Sequence, residues 1–503
     1  MNGYYYGNFL ENYVSNKLTS SQCTATSCGL KGKVIAHVVG RHLWSPKIYR
    51  FSIIKLLKTV KTDVSAITSH DVLGINFIHF TPDTISIISL KYCRIFFRLL
   101  GAMDIEKSFS DNTPVGLVEV CGKYYAMTET PFMNQIDINT LETIERVNVN
   151  KILSCMTQSP HPLKGHDGST YTVAMTVGMM GPKYSIIKFP KEGNLKEGKV
   201  MASVPARWRM SPSYMHTFAM TDNYIILIEQ PLAASVTGMV SDIANNAPFI
   251  DGLRWHEEPC FIHVVDRRSW KLVKSRYVTD TFFFIHIANA YEDNDHIVLD
   301  LPTYKDASIL HKMYLDILKD PAKTNVAGFD ESFRGYLHRF VLPLNTKGST
   351  GENLVTLKDT KCTATAGSGN DVNVKGVKIY ENSLENISIN QNNFGKKYQY
   401  VYGNSLDYSL QDCSILGKID VTTGKCTKFI KDHYYVGQPL FISNPDSKVE
   451  DDGIVLTHYL DNTDHHEGGL LILDAATMTE IATASVKVKG CIPNTLHGTF
   501  IPQ

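Results

Sequence analysis

Four histidines stand at the edges of strand-like segments: His161 in SPHP, His216 in SYMHTFAMTDNYIILIEQPL, His286 in FFFIHIANAYED and His497 in HGTFIP. A neutral imidazole offers one lone pair to a divalent ion, so a set of histidines suits Zn, Cu, Fe or Ni. Taken singly, each is more often a structural histidine, and the strand contexts alone do not bring the four together. Other candidates fall away. His465-His466-Glu467, beside two glycines, reads as a solvated loop. His-Glu-x-x-His and Gly-x-Ser-x-Gly are both absent, which removes the zinc-protease helix and the serine-hydrolase elbow. The ten cysteines are scattered with no C-x-x-C pair, so they support neither a zinc ribbon nor a thioredoxin-like motif and read as reduced thiols of an intracellular protein.

If such histidines are to act together, the elements that carry them must converge. From about residue 110 the chain is a succession of short β-branched and aromatic runs, such as YIILI at 224–228 and FIHVV at 261–265, separated by turns. One hairpin recurs, in which a strand ends in Asp-x-x-Thr/Ser: Asp137 to Thr140, Asp266 to Ser269, Asp420 to Thr423 and Asp474 to Thr477. Asp at the first position accepts from the next backbone N–H groups and fixes a type I turn. The intervals between these aspartates are 129, 154 and 54 residues, the last two near multiples of about 50, a typical propeller-blade period. A β-propeller fits better than a sandwich, because so many hairpins need an architecture without long exposed edges. Its strands also meet at a central axis. One helix is expected over Tyr304–Asp320, where Ile309, Leu310, Met313, Tyr314, Ile317 and Leu318 recur at three- and four-residue spacing before Pro321; it would cap the β-structure. Thr346–Gly376 reads as a long loop.

Composition bounds the function. The 503 residues carry 50 Lys+Arg against 50 Asp+Glu, which argues against a protein devoted to nucleic acid. The balance is uneven. Residues 1–100 hold 12 basic and 4 acidic side chains, and the rest hold 38 and 46. The opening MNGYYYGNFLENY shows no secretory pattern. The apolar stretch Val72–Leu100 is broken by His79, Pro82, Asp83, Lys91, Arg94 and Arg98, too often for a membrane span. A cytoplasmic protein is expected.

Several motifs together resemble the carotenoid cleavage oxygenase family, its animal branch most of all. They are YYAMTETPF (124–132), SPHP (159–162), HDGSTY (166–171), PSYMHTFAMTDNYIILIEQP (212–231), HIANAYED (286–293), VLPLN (341–345), GENLVTL (351–357), EDDGIVL (450–456) and HGTF (497–500). Their order and spacing agree with the family over residues 93–503. The resemblance implies an all-β, seven-bladed propeller with a helical and loop cap, and a non-haem Fe(II) held on its axis by His161, His216, His286 and His497. It implies outer carboxylates at Glu129 and Glu385, with Gln438 standing where the family usually has Glu. It also places Thr128 beside the open coordination position. The implied activity is cleavage of a central double bond of a carotenoid with O2 to retinal-type aldehydes, with trans-to-cis isomerisation as a coupled step in some members. The alternatives are a retinyl-ester isomerohydrolase using the same iron, and a carotenoid- or retinoid-binding propeller without catalysis.

A long polyene needs an apolar tunnel, for which Phe282, Phe283, Phe284, Phe218 and Met220 are candidates. It must also be drawn from a membrane. The segment Tyr92–Leu100, basic and apolar with Cys93 available for acylation, is compatible with an interfacial patch. Residues 1–92 match nothing in the family. This atypical basic segment leaves the first blade open to being incomplete. Nothing in the sequence sets the oligomeric state.

Overall fold

Tyr224–Glu229 (YIILIE) and Cys260–Asp266 (CFIHVVD) show what drives the architecture. Both are almost wholly buried, so side chains on both sheet faces meet apolar neighbours rather than water. They pair antiparallel, Ile226 opposite Val264. One face packs Ile226, Ile228, Ile262 and Val264 on Ile297, Leu299 and Leu342 of the following sheet. Each such side chain contributes roughly 1.5–3 kcal/mol when removed from water. The same arrangement repeats between successive sheets, which is the packing of a β-propeller.

The computed structural model describes residues 109–502 except 179–180, 210, 236–248, 325–329, 406–412, 491 and 493–494, together with the backbone of Gly32–Val38 and Arg50–Ile53. Among the described residues, five sheets have four or five strands. They begin at Gly116–Val120, Cys155–Gln158, Asn289–Asp293, Glu385–Ile389 and Tyr434–Val436. The expectation of seven regular blades is corrected to five, for two physical reasons. The sheet starting at Ala219–Met220 grows to seven strands. Its extra hairpin, Thr363–Ala366 with Asp371–Lys375, pairs in parallel with Arg276–Thr279. Among the described residues, the sheet holding the last strand, Thr495–Pro502, has three strands, the other two being Gly32–Val38 and Arg50–Ile53. The unmatched N-terminal segment therefore supplies the neighbour of the strand that carries His497. The patch Tyr92–Leu100, with Cys93, lies outside the described residues.

The four Asp turns form as expected. Asp137 Oδ1 accepts from the N–H groups of Asn139 (2.7 Å) and Thr140 (3.0 Å). Asp266 and Asp420 do the same, and Asp474 Oδ1 accepts from Thr477 N–H at 2.8 Å. The fifth residue of each turn carries no common residue type. Leu141, Trp270, Gly424 and Met478 all adopt positive φ and donate their N–H back to the Asp carbonyl at 2.7–2.8 Å.

The single helix expected over Tyr304–Asp320 is instead broken into Ser308–Lys312 and Leu315–Leu318, followed by Pro321–Thr324. Tyr304 stays in the sheet, bonded to Phe283 through both backbone groups. Met313 ends the first turn and is exposed. Nor is 346–376 one loop, since DVNVK alternates buried and exposed residues as the added hairpin. Among the described residues, no helix is long and apolar enough to cross a membrane.

Candidate metal centre

Three of the four histidines sit where regular pairing stops. Prolines on both sides of His161 cannot donate to a ladder, so the chain leaves the strand Cys155–Gln158 and turns its ring inward. His216 lies in the irregular run before Ala219–Met220. At His286 the cause is a bulge: Phe283 faces Tyr304 but Asn289 faces Asp300, so this strand carries two extra residues between them. Such bulges re-aim side chains. His497 projects from Thr495–Pro502 itself.

The four rings converge. One ligand atom from each lies within 4.8 Å of the other three, and His161 Nε2 is 3.0 Å from His216 Nε2. Ring centroids of His161 stand 4.7 Å from those of His216 and His497 and 5.1 Å from that of His286. The outer nitrogens show which way the lone pairs point. His216 Nδ1 faces Glu129 Oε1 at 2.7 Å, His286 Nδ1 faces Glu385 Oε1 at 2.8 Å, and His497 Nδ1 faces Gln438 Oε1 at 3.0 Å. An acceptor there requires the proton on Nδ1 and leaves a bare lone pair on Nε2. Three such lone pairs then face a common point, and His286 Nε2 is buried without any hydrogen-bond partner. Buried acceptors aimed at one another repel unless a cation lies between them. The donor set therefore fits a divalent metal.

The electrostatics keep these groups in ligating form. Burial, reinforced by the charges of His497, His216 and His286, drives the His161 imidazole well below its ordinary range, so it stays neutral. Burial pushes the Glu129 carboxyl up, but the hydrogen bond and charge of His216 and the hydroxyl of Thr128 outweigh it and hold the group at about 2.

Comparison with known proteins places this geometry in context. Residues 81–502 match the model of the family described as retinal pigment epithelial membrane protein. The chain belongs to this family. Carotenoid isomerooxygenase of Drosophila melanogaster is 29% identical over 480 residues, 82% of this chain and 77% of that protein. Beta,beta-carotene 15,15'-dioxygenase of Homo sapiens is 32% identical over 407 residues, 78% and 73% of the two chains. Among solved structures, a mutant of Synechocystis apocarotenoid oxygenase aligns with a TM-score of 0.64 at 17% identity, over 94% of this chain and 93% of that one. That likeness speaks for the propeller fold.

Within this retinal pigment epithelial membrane protein family member, two tyrosines escaped sequence reasoning. Tyr214 donates to Glu129 Oε1 at 2.9 Å, and Tyr304 donates to Glu385 Oε2. Burial raises both phenols well above their ordinary range, so they remain donors. The only sequence signal was position: Tyr214 precedes His216 by two, on the same side of an extended chain. Thr128 donates to the second oxygen of Glu129 at 2.9 Å. Its hydroxyl thus serves the carboxylate. Phe282 and Phe284 lie in the core between sheets, and Phe218 and Met220 in a second core. Phe283 packs on Tyr304, with ring centroids 5.8 Å apart, and so buttresses Glu385.

Two predictions follow from the outer partners. Tyr304→Phe leaves Glu385 Oε2 without its phenol, and metal affinity falls about 10-fold, at the low end of the usual cost of losing such a group; competition with a chromophoric chelator measures it. Gln438 gives His497 an acceptor but no charge, and its Nε2 reaches the Ile387 carbonyl at 3.4 Å. Gln438→Glu adds a negative charge behind the ligand, so the same assay should show tighter binding, by several-fold. Unchanged affinity would mean that Gln438 does not tune the centre.

Proposed function

We propose that His161, His216, His286 and His497 hold one Fe(II) ion and that the chain cleaves a central double bond of a carotenoid with O2, giving retinal-type aldehydes. The observation that carries this reading is the convergence of four imidazole nitrogens within 4.8 Å in a chain whose relatives are named for carotenoid cleavage. Imidazole suits Fe(II), and four neutral ligands leave the ion its charge and room for other ligands. Bound there, iron would supply the one-electron chemistry that O2 needs to react with a polyene.

The protein's own contribution is positioning and exclusion of water. Glu129 and Glu385 fix the ring orientations. Around them, Tyr214, Ile285, Phe283 and Tyr304 belong to an apolar cluster that continues through Leu232 and Phe333 to Ile309, Leu310 and Ile317 in the helical cap. This cluster shields the outer carboxylates from water as far as the cap. There Met313 and Leu318 are exposed, which suits delivery from a lipid surface. Incubation of Fe(II)-loaded protein with β-carotene under 18O2 should give aldehydes bearing the label. Iron-loaded protein that leaves the substrate intact would reject the reading.

A further inference from the structure

The segments that carry His216 and His286 are irregular, so their backbone groups lack ladder partners and must find others. Buried side chains supply them. Ser159 Oγ donates to the His216 carbonyl at 2.6 Å and accepts from the His161 N–H at 3.2 Å, tying those two ligands together. Thr217 Oγ1 donates to the Ile285 carbonyl at 2.6 Å, across to the next ligand.

Gln230 makes the most complete link. It is fully buried, and every polar group of its side chain is engaged on the ligand segments. Oε1 accepts from the Phe284 N–H at 3.0 Å, and Nε2 donates to the Tyr214 carbonyl at 3.2 Å. Phe284 and Tyr214 each precede a histidine by two residues, so one planar amide spans equivalent points on the two segments. Its own carbonyl accepts from Ser213 Oγ at 2.6 Å, which fixes the start of the His216 run. The neighbouring Glu229 is equally buried but faces the other way, toward Tyr184 and His263.

We infer that Gln230 is a positioning residue for the metal centre, setting the separation of His216 and His286 before an ion arrives. Their ring centroids stand 5.2 Å apart, and only a preset separation lets both lone pairs reach one ion without reorganisation. A site whose geometry is fixed in advance loses less freedom on binding. The inference rests on the metal reading above.

The test uses the full chain, with Co(II) as the probe because its d–d spectrum reports ligand geometry. Gln230→Met keeps volume but removes both hydrogen bonds. The expected result is at least a 10-fold loss of Co(II) affinity and an altered d–d spectrum in the folded protein. Thr217→Val, which removes a single link, should show a smaller loss in the same direction, and it carries the test if Gln230→Met does not fold. A purely structural role would lower the melting temperature while leaving affinity and spectrum unchanged, and that outcome overturns the inference. Failure of the wild-type protein to take up Co(II) would instead overturn the metal reading itself.

Discussion

His286→Ala should bind Fe(II) at least ~100-fold more weakly than the parent chain, exceeding the 10–100-fold cost of removing an outer partner, and aldehyde production should fall with it. The substitution deletes the one ligand nitrogen that is buried with no hydrogen bond at all. A group in that state is costly unless something outside the protein satisfies it. Removing it takes away a ligand without breaking a contact between protein atoms at that nitrogen. Glu385 keeps Tyr304 and the Asn386 N–H at 3.1 Å as donors, so its carboxylate is not stranded. The folded state should therefore survive, and metal content by mass spectrometry together with thermal melting separates the two effects. A variant that keeps its iron would show that His286 is structural.

The largest effect on stability lies on the neighbouring strand. Asp300, fully buried, takes a bidentate contact from Arg339 at 2.8 and 2.7 Å and a third bond from Tyr398 at 2.9 Å. The Arg339 side chain is itself only 16% exposed. Asp300→Ala leaves a guanidinium in the sheet with its counter-charge gone and should cost about 3–5 kcal/mol. Replacing both, as Asp300→Leu with Arg339→Met, should recover most of that loss, because no charge then remains to be desolvated. Urea denaturation of the single and double variants measures the difference. Equal destabilisation by both would mean that the ion pair contributes through shape alone. Asp300 also accepts the Ala288 N–H through its main-chain carbonyl at 2.8 Å, at the end of the bulge that aims His286, and that bond survives the substitution.

Local chemistry was legible in the chain, and long-range geometry largely was not. The Asp-x-x-Thr/Ser turns could be read because each is closed by atoms within four residues. The four histidines, with Glu129, Glu385 and Gln438, were reached through motif resemblance. Nothing in the periodicity of FFFIHIANAYED shows that a two-residue bulge breaks the ladder at His286. The helix expected over Tyr304–Asp320 failed for a related reason: its apolar spacing suits a helix, yet Tyr304 is held in the sheet by Phe283 and through its hydroxyl by Glu385. Gln230 and Tyr304 were invisible as site residues because each acts on a ligand segment distant in sequence. The unmatched N-terminal segment was equally opaque. Its contribution, a strand beside Thr495–Pro502, is backbone pairing that no side-chain motif announces.

The central claim is that four imidazoles meet on one ion. X-ray absorption at the iron edge of the anaerobically Fe(II)-loaded protein tests it most directly, since imidazole multiple scattering counts the histidine ligands. One iron per chain with four imidazoles, falling to three in His286→Ala with whatever iron is retained, is the predicted result. Iron bound by oxygen ligands, or by fewer than four imidazoles in the parent chain, would contradict it.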